Sequence, residues 1–184
     1  MSGGSAREGG PTDGADWFLA SAPDGAVEVP TAVKVIAGGR HVRCVWRNSL
    51  GGLTFEIPDS NQHLKWAPPD SELRLLDEAT RLRWVRAFTA VPEVVDAGTA
   101  DDGSTWLLTA TVQGTSAVDD RWKASPRVAV RAIGEGLRAF HDAVPVAGCP
   151  FDWSAQHRVE RARRDATAGV MDPCLLYTSP SPRD

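Results

Sequence analysis

Lys65 and Glu78 are the first residues whose types and placing invite chemistry. Seventeen of the 20 basic side chains are arginine, and the only lysines are Lys34, Lys65 and Lys123. Lys65 lies in the short run His63-Leu64-Lys65-Trp66, which is closed by Ala67-Pro68-Pro69. Glu78 lies beside Leu75, Ala79, Leu82 and Val85, which recur at three- and four-residue steps. Its carboxylate is therefore expected to point toward whatever that apolar stripe covers. A lone carboxylate there is costly without a cation, and Lys65 is the candidate partner. On these residues alone two readings stay open. The pair is either a phosphate-holding ammonium steadied by a carboxylate, or an edge lysine and a solvated glutamate with no joint role. Upstream, Asn48-Ser49-Leu50-Gly51-Gly52-Leu53 is a turn whose two glycines let backbone approach a ligand, with N–H groups that can cradle phosphate. A plain hairpin turn reads equally well, and the wording is neither a Walker loop nor G-x-G-x-x-G.

Other motifs read as structure. Asp101-Asp102-Gly103 imitates a metal-binding Asp-x-Gly but sits where a hairpin turn belongs. His141-Asp142 is expected at a helix end, where histidine suits the negative dipole. Cys149 near His141 would hold a metal only with two further ligands, and none has suitable spacing. The seven tryptophans read as core and surface aromatics.

These residues must be carried by short elements. VEVP, TAVKVIAGG, HVRCVW and LTFEIP, between Val27 and Pro58, read as antiparallel strands with turns at Gly38-Gly39 and Gly51-Gly52. The run around Lys65 is a further strand, and a helix is expected from Asp70 to about Phe88. Strands at residues 91–95 and 105–111 follow. Ser125-Pro126 opens a second helix to about His141, and a third runs from Ser154 to about Ala168 with Gly169 as its stop.

The composition sets bounds. The chain has 184 residues, 42% apolar and 24% charged, with 20 basic against 24 acidic side chains and a net charge of −4. That argues against a phosphate-backbone binder driven by bulk positive charge, so no nucleic-acid partner is expected. No stretch approaches the ~18 consecutive apolar residues of a membrane span, and residues 1–16 lack a secretory signal pattern. Three widely spaced cysteines, Cys44, Cys149 and Cys174, fit a reduced compartment, so a cytoplasmic protein is expected. Nothing in the residues fixes an oligomeric state.

The order of turn 48–53, HLKW, DEATRLRWV, VPEVV, WLLTATVQG and AIGEGLRAFHDAVPVAGCPF resembles the aminoglycoside phosphotransferases, most of all the 3′-phosphotransferases of the kanamycin and neomycin type. The resemblance covers about Val45 to Asp172. It rests chiefly on the Trp-Leu-Leu-Thr…Gly strand and the Leu-Arg-x-Phe-His…Cys-Pro-Phe helix and turn. It implies an α+β fold: a protein-kinase-like N-terminal lobe of antiparallel sheet plus one helix, then the first helices of an incomplete C-terminal lobe.

The resemblance also implies ATP as cofactor, Mg²⁺, an aminoglycoside acceptor and antibiotic resistance. By it, Lys65 contacts the ATP α/β-phosphates, Glu78 orients Lys65, and Asn48, Ser49, Leu50, Gly51 and Gly52 form the nucleotide-positioning loop. His63 falls where an aromatic residue stacks on adenine. Thr109 precedes the hinge, and the Ala110 carbonyl and Val112 N–H pair with the adenine edge. The family's His-Gly-Asp…Asn loop and its Asp-x-Gly motif, which supply the base and the Mg²⁺ carboxylates, do not occur before Pro173. No catalytic residue and no metal ligand is therefore assigned, and the chain as given is expected to transfer no phosphate. A kinase-like enzyme with another acceptor, or a non-catalytic nucleotide-binding module, are the other readings.

Four segments are expected: a flexible leader at 1–16, a nucleotide-binding lobe and hinge at 17–112, the start of a helical lobe at 113–173, and a non-native tail at 174–184. The tail, CLLYTSPSPRD, resembles the translation of a transposase-type sequencing adapter, although a Ser/Pro-rich disordered tail has the same composition.

Overall fold

Short alternating runs build an antiparallel sheet. Its strands are β1 (Ala20–Ser21), β2 (Arg43–Asn48), β3 (Leu53–Ile57), β4 (Gln62–Ala67), β5 (Val94–Thr99) and β6 (Thr105–Ala110). They lie in the order β1-β2-β3-β4-β6-β5, every neighbouring pair antiparallel. The computed structural model describes residues 20–117 and 119–169. The expected leader at 1–16 and the adapter-like tail at 174–184 lie outside the described residues.

The two-residue period of a strand sorts the side chains onto two faces. Phe55 pairs with Leu64, and Leu64 with Leu108. These three join Ile57 and Val33 in a buried cluster on one face, with Trp66 and Trp106 packed against it. Ala67 and Leu107 turn to the other face and cluster with Leu75 and Ala79. Helix α1 (Thr31–Ala37) covers the first face and α2 (Leu75–Val85) the second.

Helix α1 corrects the strand expected at TAVKVIAGG, and VEVP before it is not a strand either. The β-branched residues suggested a strand, but Ala32, Val33 and Ala37 are buried at helical spacing, and that burial outweighs local preference. Pro30 precedes the helix and Gly38 ends it in the left-handed region at φ 60°, its amide donating to the Val35 carbonyl. Gly38-Gly39 is thus a helix stop rather than a hairpin turn.

The helix expected from Asp70 begins at Leu75, because Asp70 itself has φ 60° and Ser71 N–H closes a turn on the Pro68 carbonyl. Its apolar stripe behaves as expected, with Leu75, Ala79 and Val85 buried and Leu82 packed beside them. Strand β5 starts later than expected, beyond Pro92, which has no N–H to give a ladder. Asp101-Asp102-Gly103 is the β5–β6 turn. Asp102 Oδ1 accepts from the Ser104 amide at 2.9 Å and the fully buried Ser104 hydroxyl at 2.5 Å.

Beyond the sheet come α3 (Asp120–Lys123), which the sequence did not suggest, and α4 (Pro126–Ala143). Ser125 and Pro126 open α4 as expected, though the Ser125 side chain makes no cap bond. Val130, Ile133, Leu137 and Phe140 of α4 are all exposed, Val130 at 68%. His141 and Asp142 fall in its last turn, where Asp142 pairs with Arg138 at 2.8 Å. The described residues divide into two compact units between Val144 and Pro145. The second contains α5 (Ala155–Thr167), capped by Ser154 Oγ accepting from the His157 amide at 3.2 Å and followed by Gly169 at φ 73°.

Candidate functional site

The face of the sheet that carries α2 also presents the candidate residues. Strand pairing lays two cross-strand rows on it: Arg43, Glu56, His63 and Thr109, and beside it Trp46, Thr54, Lys65 and Leu107. Helix α2 covers the β5–β6 side of this face through Ala79 and Leu107.

Lys65 Nζ meets Glu78 Oε1 at 2.6 Å, with the two side chains 42% and 38% exposed. The pairing anticipated from the sequence is present. The burial argument for it is corrected, since Glu78 keeps access to water. Half-exposed ion pairs stabilise a fold by only about 0–1 kcal/mol, so the pair's main physical effect is to fix an ammonium on the sheet face.

The turn at residues 48–52 is closed by Asn48. Asn48 Oδ1 accepts from the Leu50 and Gly52 amides, both at 3.0 Å, and the Gly51 amide donates to the Asn48 carbonyl at 3.2 Å. The amides expected to be free for phosphate are therefore turned inward, except that of Ser49, whose N–H and hydroxyl bond to no described residue. Gly51 has φ 79°, and a Cβ on Gly52 would stand 2.3 Å from Leu73 Cδ1. The positive φ favours glycine at position 51, and a Cβ at position 52 would force the Leu73 and Asn48 side chains to move. Among the described residues no hydrogen bond joins this turn to the Lys65–Glu78 pair.

His63 Nδ1 lies 2.9 Å from Thr111 Oγ1, linking the lysine strand to the segment after β6. Thr109 is buried and its hydroxyl donates to the His63 carbonyl at 3.5 Å. The Thr111 amide donates to the Asn61 carbonyl at 2.9 Å and the Ala110 amide to the Glu93 carbonyl at 2.9 Å, so the segment is tied on both sides. Val112 is 62% exposed, and its N–H donates to no backbone carbonyl among the described residues. Ala110, Thr111 and Val112 line an open cavity of about 460 Å³ with Thr89, Val91 and the Arg86–Glu93 ion pair. Lys65 and the turn at 48–52 do not line that cavity.

Sequence reasoning missed two features of this face. Arg43 Nη2 donates to Glu56 Oε2 at 2.5 Å. That bond holds the Glu56 carboxyl below its ordinary range, with the charges of Arg43 and His63 adding to it against the opposing effect of burial. Trp46 faces the Lys65 side because of an extra residue in β2. Only the register of β2 on β3 shows either, and no residue pattern encodes it. No group of three His, Cys, Asp or Glu side chains among the described residues could hold a metal ion.

A six-stranded antiparallel sheet whose central lysine is held by a glutamate from the following helix is the amino-terminal lobe of the protein-kinase-like phosphotransferase fold. The chain belongs to the phosphotransferase enzyme family (APH), whose family profile matches residues 32–177. It is similar to the aminoglycoside 3′-phosphotransferase of Streptomyces fradiae, 41% identical over 108 residues, which is 58% of this chain and 39% of that protein. The aminoglycoside 3′-phosphotransferase of Streptomyces ribosidificus is 40% identical over 116 residues, 62% of this chain and 43% of that one. Among solved structures, aminoglycoside phosphotransferase APH(3″)-Id from Streptomyces rimosus matches with a TM-score of 0.57 and 27% identity, covering 77% of this chain and 51% of that chain. The chain spans about two fifths of the length of the curated relatives it matches, 39% and 43%. No helix among the described residues is long and apolar enough to cross a membrane.

Proposed function

We propose that this chain is the nucleotide-binding part of an ATP-dependent phosphotransferase that places phosphate on an aminoglycoside hydroxyl, the 3′-OH, and so confers resistance. The observation that carries the reading is the 2.6 Å Lys65–Glu78 contact on a half-open sheet face. Lys65 neutralises charge on the α/β-phosphates, and Glu78 keeps the ammonium from drifting away from them. Ser49 supplies the turn's available donors, while Asn48, Leu50, Gly51 and Gly52 shape the loop that presents it. His63, steadied by Thr111, lies beside the base. Thr109 leads into the hinge, whose Ala110 carbonyl and Val112 N–H meet the adenine edge.

In such a reaction Mg²⁺ offsets the phosphate charge. The described residues do not fit a resident magnesium ion, and they supply no base for the acceptor hydroxyl. We place the nucleotide lobe and hinge at residues 17–112 and the start of a helical lobe at 113–173. The whole enzyme works in the cytoplasm on ATP and an aminoglycoside, with no nucleic acid and no membrane involved, and this chain alone transfers no phosphate. A 3″-hydroxyl acceptor is the second reading, favoured by the APH(3″) title of the structural relative. The 41% identity to a protein named for the 3′ position, against 27% here, supports the first.

The test is a chimera in which the carboxy-terminal region of the Streptomyces fradiae relative follows Pro173. It is expected to transfer phosphate from ATP to kanamycin or neomycin, and Lys65→Ala in the chimera is expected to remove most of that activity. A folded chimera that binds neomycin but transfers nothing, or a fully active Lys65→Ala form, overturns the reading.

A further inference from the structure

A base beside His63 and phosphates at Lys65 fix which way a nucleotide runs across this face. The adenine edge that meets the segment after β6 is opposite the edge that carries the sugar. Strand β4, with His63, lies between β6 and β3, so the sugar leaves the base on the β3 side. The β3 residue paired with His63 is Glu56, and opposed residues of an antiparallel pair share a face. Two residues further along, about 7 Å away, Thr54 opposes Lys65. Glu56 thus stands next to the base and one step short of the phosphates. Its side chain is 29% exposed, so a ligand can reach it. Arg43 Nη2 donates to Oε2, while Oε1 accepts no hydrogen bond among the described residues. The Arg43 hydrogen bond, helped by the charges of Arg43 and His63 against the opposing effect of burial, favours the ionised form. An ionised carboxylate only accepts. It therefore suits the two adjacent hydroxyls of a ribose, and the Arg43 guanidinium offsets its repulsion of the phosphates.

We propose that Glu56 is the ribose contact of this lobe, its carboxylate accepting from the 2′- and 3′-hydroxyls of bound ATP while Arg43 holds it in place. This inference rests on the ATP reading above and adds to it a residue that selects the sugar.

The test is calorimetric titration of the chain with ATP and with 2′,3′-dideoxy-ATP, repeated for Glu56→Ala and Glu56→Gln, with circular dichroism to confirm folding. A hydrogen bond to a charged group is worth about tenfold in affinity or more. The unaltered chain is therefore expected to bind ATP about tenfold more tightly than the dideoxy analogue. Glu56→Ala is expected to weaken ATP by that factor and to leave the analogue no weaker, so that the two bind alike. Glu56→Gln, which keeps the volume and one acceptor oxygen, is expected to fall between. The comparison in the unaltered chain does not depend on either variant folding. Equal affinity for the two nucleotides there, or a preference for ATP that survives in folded Glu56→Ala, overturns the role of Glu56 and leaves the ATP reading standing. Failure of the unaltered chain to bind either nucleotide overturns both.

Discussion

Replacing Lys65 by alanine separates a structural lysine from a phosphate-binding one. Its ammonium pairs with Glu78 at 2.6 Å, but the side chains are 42% and 38% exposed. Losing such a pair costs about 1 kcal/mol at most, which lowers a melting temperature by roughly 2–8 °C. The expected loss in ligand binding is larger. A unit charge 4 Å from a phosphate oxygen contributes about 1 kcal/mol in bulk water and about 4 kcal/mol at an effective dielectric of 20. Lys65→Ala should therefore weaken ATP binding by about fivefold to nearly a thousandfold while leaving adenosine binding unchanged. Glu78→Gln should act in the same direction more mildly, because the ammonium remains but loses its anchor. The assay is titration calorimetry with ATP and adenosine beside a thermal melt. Equal binding of ATP by Lys65→Ala and the unaltered chain would refute the reasoning. So would an equal loss for ATP and adenosine, since that would show a collapsed site.

Three further outcomes follow from the same face and its neighbours. The folded-state pKa of Glu56 is depressed, chiefly by the Arg43 hydrogen bond, from an ordinary value of 4.5. Its contribution to stability is therefore present above that value and lost as pH falls through the folded one. Arg43→Ala should raise the Glu56 titration seen by carbon NMR and remove that acid-side dependence. Gly52→Ala would place a Cβ 2.3 Å from Leu73 Cδ1, so it should disrupt the Asn48 turn and weaken ATP more than adenosine in the same titration. The exposed stripe of Val130, Ile133, Leu137 and Phe140 on α4 should bind the dye ANS. Ile133→Glu with Leu137→Glu should cut that fluorescence without lowering the melting temperature of the sheet.

Much of this was legible in the residues, and the parts that were not share a cause. The lysine-glutamate pair could be read because proline-bounded HLKW and the stripe Leu75, Ala79, Leu82, Val85 each fix a local period, and because lysine is rare in this chain. The β5–β6 turn was legible from Asp-Asp-Gly for the same local reason. Helix α1 was misread because seven residues rich in Val, Ile and Thr fit a strand equally well until Val33 is seen packed under the sheet. Pro30 before it and Gly38 after it were the signals that could have decided the matter. The inward-facing amides of the turn at 48–52 depend on one side chain, Asn48, folding back on its own loop. The Arg43–Glu56 bond and the facing of Trp46 depend on a single inserted residue that shifts register. Such a shift changes which residues share a face without leaving a pattern in composition or spacing.

The central claim is that the sheet face around Lys65 binds ATP. The most direct measurement is a two-dimensional amide NMR titration of the isotopically labelled chain with ATP. Shift changes are predicted to concentrate at Ser49, His63, Lys65, Ala110 and Val112, with α5 unmoved. A spectrum unchanged at saturating ATP, or changes confined to α4 and α5, would contradict it.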